Sequence, residues 1–257
     1  MRVGEAVLRA LSRAPDTADY NWETEEQLSD ELLLLRREFP QISAMVKGKS
    51  VLDFGCGTGR QAIGLSGEGA SRVCGIESNP RTLSSAKQLA SQLGIQPHVV
   101  DFHEHPTAAM MGAFDFVIAQ NSMEHFPDPI AVLGQMKQLI RKDGKLLITF
   151  GPPWFAPYGS HMHFFCRVPW VNLLFSEKTV IRVRALYRND GAQRYEEVES
   201  GLNRMTIRKF ERIVRESGLR IQYRKYSCVK GYNWLATLPV LRELFVNHIT
   251  VILTPAG

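Results

Sequence analysis

Val51-Leu52-Asp53-Phe54-Gly55-Cys56-Gly57-Thr58-Gly59-Arg60, residues 51–60, is the stretch on which the reading of this chain turns. Four residues of buried-strand character run into three glycines within five positions, and a helical pattern follows to about Leu65. Glycine has no Cβ, so such a turn reaches backbone angles other residues avoid and lets a ligand lie against the main chain. Outward on the C-terminal side, a second strand is expected at Arg72–Ile76, with Glu77 at its end. Glu77 lies about twenty positions beyond the glycines, where a strand–helix–strand unit sets an acidic side chain against a ribose. A carboxylate there accepts from both ribose hydroxyls at once.

The spacing G-x-G-x-G differs from the G-x-G-x-x-G fingerprint whose helix N-terminus holds a pyrophosphate. Asp53 beside the turn would also repel phosphate and attract an amine. With its D-x-G-C-G-T-G core, the stretch resembles the nucleotide-binding motif of class I S-adenosylmethionine (SAM) dependent methyltransferases. The resemblance implies SAM as cofactor and S-adenosylhomocysteine (SAH) as product. It further implies cofactor contacts at Asp53, Gly55, Cys56, Gly57, Gly59, Glu77 and Ser78, with Asn121 at the end of the fourth strand. A third strand at Pro97–Val100 is read as ending in Asp101. That position commonly accepts from the adenine amino group in the family, which makes Phe102 a partner for the adenine ring.

Asn79 and Pro80 begin a helix whose inward residues are Leu83, Ala86, Ala90 and Leu93, with Gly94 as its stop. A fourth strand is expected at Phe114–Ala119, a helix at Ile130–Ile140, a turn at Lys142-Asp143-Gly144 and a fifth strand at Lys145–Phe150. After the fourth strand, Glu124-His125-x-x-Asp128-Pro129 is similar to a segment of many small-molecule methyltransferases, those of quinone biosynthesis included. Thr206–Ser217 then reads as a helix with Ile207, Phe210, Ile213 and Val214 inward, followed by strands at 220–228 and 249–253 around a short helix near 238–245.

The expected fold is α/β: a Rossmann-like, seven-stranded, mostly parallel sheet with helices on both faces and an aromatic-rich lid inserted after the fifth strand. Residues 1–48 are expected to be an N-terminal helical cap, with a capping box at Thr24 and Gln27 and an apolar face of Leu28, Leu32 and Leu35. Residues 49–150 are the SAM-binding core, 151–203 the lid and acceptor-binding insertion, and 204–257 the completion of the sheet. Trp154, Tyr158 and His163 of the insertion are the expected acceptor contacts.

Methyl transfer from a sulfonium depends on positioning, and a hydroxyl acceptor gains from a histidine base. His161, after the proline-punctuated loop Gly151–Ser160, and His125 are the candidates. Gly151-Pro152-Pro153-Trp154 has the look of the motif of enzymes that methylate amino nitrogens, but it follows the fifth strand rather than the fourth and begins with glycine. Neither His103-x-His105 nor His161-x-His163 is read as a metal pair, since no further ligands stand near.

The 257 residues, 44% hydrophobic and 22% charged, suit one sizeable domain. A net charge of +5 comes from scattered basic residues, which argues against nucleic acid as a partner. Four cysteines without C-x-x-C spacing read as reduced packed thiols. No apolar run nears the roughly 20 residues that span a bilayer, and the chain reads as cytoplasmic. The function expected is methyl transfer from SAM to a small molecule, at oxygen first. The alternative is a SAM-binding sensor or complex subunit without catalysis, while NAD-dependent oxidoreduction is disfavoured by Asp53 and the glycine spacing. The acceptor, the catalytic base and the choice between monomer and homodimer stay open at this stage.

Overall fold

The structure is a computed structural model that describes residues 3–13, 32–198 and 201–256. Thr24, Gln27 and Leu28 lie outside the described residues. Seven strands form one sheet: β1 (Ser50–Phe54), β2 (Arg72–Ile76), β3 (Val100–His103), β4 (Phe114–Gln120), β5 (Ile140–Phe150), β6 (Leu219–Cys228) and β7 (Val246–Pro255). Their order is β3-β2-β1-β4-β5-β7-β6. β1 to β5 are parallel, and β7 runs antiparallel to both β5 and β6. The sequence-level count of seven and the mostly parallel character therefore hold.

Strand alternation sorts the core into two layers. Leu52, Phe54, Cys74, Ile76, Leu146 and Ile148 turn to the face covered by α6 (Pro129–Leu139) and α9 (Ile207–Glu216), which contribute Leu133, Met136, Phe210 and Ile213. Val51, Val73, Phe116, Ile118 and Leu147 turn to the other face. There they meet α2 (Leu33–Glu38), α3 (Ile42–Val46), α4 (Arg60–Gly67) and α5 (Pro80–Gln92). Two-sided burial is what the near-continuous apolar character of parallel strands requires. The caps follow the sequence: Asn79 accepts from the backbone of Arg81 and Thr82, Asp128 from Ala131, and Thr206 from Lys209.

Several boundaries move. Leu93, expected to face inward, is 56% exposed, because α5 ends at Gln92 and Leu93 is its C-cap. β5 begins at Ile140, which pairs with Phe114 before the ladder shifts register, so Lys142-Asp143-Gly144 lies inside the strand's irregular start. β3 spans Val100–His103, so Pro97–Val99, expected as strand, form the turn before it, and the strand runs two residues past Asp101.

Residues 151–198 build a separate small core that includes α7 (Val171–Leu174) and α8 (Glu177–Arg184). Phe165, Cys166, Val180, Ile181 and Tyr195 are buried in it. The first described helix, α1 (Val3–Leu11), joins this core through Leu8. Arg13 donates its backbone N–H to Phe165, Glu5 pairs with Arg182, and Tyr187 donates to the Arg13 carbonyl. The described N-terminal helices thus divide, with α2 and α3 on the sheet and α1 on the small core. All four cysteines are buried and unbridged.

Candidate functional site

The C-terminal ends of β1, β2, β4 and β5 share one edge of the sheet, which is where open α/β sheets hold their ligands. At β1 the chain turns through Gly55 (φ 79°), Gly57 (φ 54°) and Gly59 (φ 80°), all in the left-handed region. The turn is tied to β2, since Gly55 and Cys56 both donate to the Ile76 carbonyl. The Glu77 carboxylate accepts from Gly57 N–H at 3.0 Å and from Asn79 N–H at 2.8 Å. It is thereby fixed against the glycine turn in a single orientation. Ser78 beside it is exposed.

Gly59 and Gly75 are held by packing as well as by conformation. A Cβ on Gly59 would sit 2.7 Å from the Phe102 ring, and one on Gly75 would sit 2.5 Å from that ring and 2.7 Å from Cys56 Sγ. Phe102 is therefore a buried wedge beneath the turn, 6% exposed, rather than a surface for a ring to stack on. Gly75 was readable as a glycine inside a strand, the usual mark of close approach.

Asp53 is 1% exposed, with Oδ1 accepting from Gln61 at 2.8 Å and Oδ2 buried without a partner. Burial, with the charge of Glu77 adding to it, raises its pKa to about 7 although Gln61 opposes the shift. A half-satisfied buried carboxylate beside a ligand edge is set up to receive a donor, above all a cation.

Asp101 is not at a strand end. It stands second in β3, paired in register with Cys74, and its carboxylate accepts from Cys74 Sγ at 2.6 Å, His103 Nε2 at 2.8 Å and Arg72 at 3.2 Å. The strand end falls to Glu104 and His105. The reading went wrong because Val99 and Val100 look like the close of an apolar run, whereas β3 continues through alternating residues.

On the β4 side, Asn121 (φ 50°) is exposed and donates its backbone N–H to the Thr149 carbonyl at 2.9 Å. Ser122 faces Gly55, its Cβ 3.8 Å from where a Gly55 Cβ would lie, and its hydroxyl is buried without a partner. Glu124, 3% exposed, accepts from Gly151 N–H at 3.0 Å through Oε1, while Oε2 has no partner. Burial pushes its carboxyl pKa up, against the pull of His125. Sequence reading passed over Glu124, although it begins the Glu-His segment.

His125 and His161 come together. Their rings meet edge to face at 5.3 Å, and His125 Nδ1 lies 2.8 Å from the Gly201 carbonyl. His161 (φ 56°) has Nε2 buried and unpartnered. Burial and then the neighbouring His125 lower its pKa to about 4, against a hydrogen bond to the Pro152 backbone. His161 is accordingly neutral at pH 7, with one ring nitrogen engaged and the other free to accept. Ser160 beside it is also buried with an unpartnered hydroxyl.

The glycine at 151 now has a reason: a Cβ there would fall on the Asn247 carbonyl oxygen. Asn203 ties the same region together, donating to the carbonyls of Met123 and Phe126. Tyr158 and His163 pair edge to face at 4.8 Å. Trp154 instead turns into the small core against Tyr195 at 4.9 Å, with Arg204 over both rings. Three buried, unpartnered atoms, Glu124 Oε2, Ser160 Oγ and His161 Nε2, thus belong to one knot of loops on the ligand edge.

Comparison with known proteins gives a sequence family and a fold. The methyltransferase domain family matches residues 23–223. A ubiquinone biosynthesis O-methyltransferase of Actinobacillus pleuropneumoniae is 33% identical over 107 residues, which is 40% of this chain and 45% of that protein. The chain therefore spans less than half the length of that relative. An uncharacterized methyltransferase of Mycobacteroides abscessus is 26% identical over 82% of this chain and 78% of its own. Among solved structures, the magnesium protoporphyrin IX methyltransferase of Synechocystis, crystallised with SAH, superposes with a TM-score of 0.53 at 16% identity. That superposition covers 92% of this chain and 90% of the other.

Proposed function

The chain belongs to the methyltransferase domain family, and from that premise we propose that it transfers the methyl group of SAM to a small-molecule acceptor, at oxygen in preference to nitrogen or carbon. The observation that carries the reading is the Glu77 carboxylate fixed on Gly57 N–H beside three left-handed glycines. That arrangement offers a ribose a charged acceptor beside an open backbone. The residues fit the cofactor on a second count, since Asp53 Oδ2 is buried and unpartnered where an amine would satisfy it.

In this reading Gly55, Cys56, Gly57 and Gly59 form the backbone cradle, Glu77 holds the ribose with Ser78 at the rim, and Asp53 with Gln61 receives the ammonium end. Asn121 and Ser122 border the far side. Phe102 supports the cradle from below, and the adenine edge falls to the residues after His103, Glu104 and His105, because Asp101 is engaged within the strand. SAM, when bound, supplies a methyl group already activated by a sulfonium.

What the chain adds is position and proton transfer. His161 accepts a hydrogen bond from the acceptor's hydroxyl at Nε2, with its ring oriented by the Pro152 backbone and by His125. It takes the proton as the methyl group bonds to the oxygen and makes that proton strongly acidic, a step within reach of an imidazole whose pKa is about 4. Burial among the described loops that follow β5 excludes water from that nitrogen. Tyr158 and His163 line the acceptor side, and Trp154 steadies it from the small core. The likeness of part of the chain to ubiquinone biosynthesis O-methyltransferases supports an oxygen acceptor.

The test is transfer of labelled methyl from SAM into a metabolite extract, with the product's linkage identified by mass spectrometry. A methyl ether or ester is expected. Label on an amine would overturn the choice of oxygen, and SAM binding without label in any fraction would overturn transfer.

A further inference from the structure

The ligand edge also carries an apolar surface that the methyl-transfer reading does not use. Two connections leave the sheet there, one after β5 and one after β6. Leu173 and Leu174 of the first are 44% and 65% exposed. Tyr232, Trp234, Leu238 and Val240 of the second are 54%, 63%, 45% and 66% exposed. The two segments touch, with the Trp170 ring 5.8 Å from Phe245 at the end of α10 (Pro239–Phe245). Trp170 is fixed in turn by its indole N–H to the Phe155 carbonyl, and Asn172 by its amide to the Trp154 carbonyl. Six large apolar side chains presented on joined, anchored segments differ from the single exposed residues that any surface shows.

The chemistry of this face selects its occupant. Residues 166–176 and 228–242 contain no aspartate or glutamate. Arg167 and Lys230 are exposed within them. Tyr232 and Trp234 are of the residue types that sit at the boundary of hydrocarbon and water. A contact between copies through these two segments would offer these cations no carboxylate to pair with, whereas an anionic bilayer complements them. None of the helices among the described residues is long and apolar enough to cross a membrane, so attachment would be at the surface.

We propose that this face docks the protein on an anionic lipid surface, with Trp234 and Leu174 entering the headgroup boundary and Arg167 and Lys230 facing the headgroups. The docking rests on the surface alone. Only its consequence, delivery of a lipid-soluble acceptor to the adjoining site, rests on the methyl-transfer reading.

The experiment is co-sedimentation of the full chain with mixed phosphatidylcholine–phosphatidylglycerol vesicles and with pure phosphatidylcholine vesicles. Binding to the mixed vesicles is expected, weakened by salt. The double variant Trp234→Glu, Leu174→Glu should lower the bound fraction roughly fivefold or more while leaving Tm and the shift induced by SAH unchanged. Quenching of tryptophan fluorescence by brominated acyl chains gives the same test without a variant. Absence of wild-type pelleting or quenching overturns the proposal, and so does equal pelleting of the variant. A wild-type dimer in lipid-free solution that the variant converts to monomer would overturn it in favour of an interface between copies. Vesicle binding by a chain that fails to bind SAM would leave docking standing and remove the methyl-transfer reading.

Discussion

The two sides of the ligand edge are built by opposite means. On the β1–β3 side the site is backbone: three left-handed glycines, two more constraints from Gly75 and the Phe102 wedge, and one carboxylate fixed by two N–H groups. On the β4–β5 side it is side chains brought from loops far apart in sequence, with His125 against His161 and Glu124 on Gly151. The first side is nearly satisfied without a ligand, the exception being Asp53 Oδ2. The second keeps Glu124 Oε2, Ser160 Oγ and His161 Nε2 unpartnered. Under the proposed function, the rigid side cradles the cofactor and the side that meets the acceptor keeps its polar atoms available for it.

This contrast breaks most visibly at the glycines. Gly59→Ala puts a Cβ into the Phe102 ring at a left-handed position, and should cost about 3 kcal/mol from strain and overpacking together. Gly75→Ala should cost about 1–3 kcal/mol from overpacking alone. Urea denaturation measures both, and a cost near zero for either would mean that the wedge gives way.

His161→Ala probes the other side. It should lower kcat about 10²-fold or more while SAM affinity stays unchanged. With a pKa of about 4, His161 should impose no loss of activity between pH 5 and pH 7, so a kcat profile falling through pH 6.5 would point to another base.

Asp53 sharpens the comparison through pH. An unfolded aspartate titrates near 3.8 and the folded one near 7, so the native state binds the proton more tightly. Stability linked to this group is then present at low pH and declines as pH rises from about 4 to about 7. Asp53→Asn should flatten that decline in thermal melts. SAM binding to the wild type should release protons near pH 6, read as a buffer-dependent heat in calorimetry. No buffer dependence would separate Asp53 from the ammonium end.

The smallest effect is expected at His163→Ala. Losing the edge contact with Tyr158 should cost about 0.5–1.5 kcal/mol and raise the acceptor KM without changing SAM affinity. A change confined to SAM affinity would place His163 on the wrong side of the divide.

Much of the fold was legible because local signals coincide with it. Asn79-Pro80, Asp128-Pro129 and Thr206 mark helix starts where helices do start, and apolar runs mark the strands. The glycine turn and Glu77 were legible as a motif. Asp101 was not, because a strand of alternating residues gives no sign of where it ends, and its partners Arg72 and Cys74 lie about 29 and 27 positions away. Phe102 was misread for a related reason: only the packing of Gly59 and Gly75 shows that its ring points down. Glu124, Gln61 and Ser160 were invisible as site residues because burial without a partner is a property of the folded edge, not of the residue. The histidine pair was half legible. Composition and loop chemistry named His125 and His161, but nothing in 36 residues of separation said that their rings meet.

Calorimetric titration of SAM into the wild-type chain and into Glu77→Ala at pH 7 tests the central claim most directly. The account expects saturable binding by the wild type and a loss of about tenfold or more in the variant, the scale of one hydrogen-bonded charge. Wild-type protein that takes up no SAM, or a Glu77→Ala variant that binds as tightly, would contradict it.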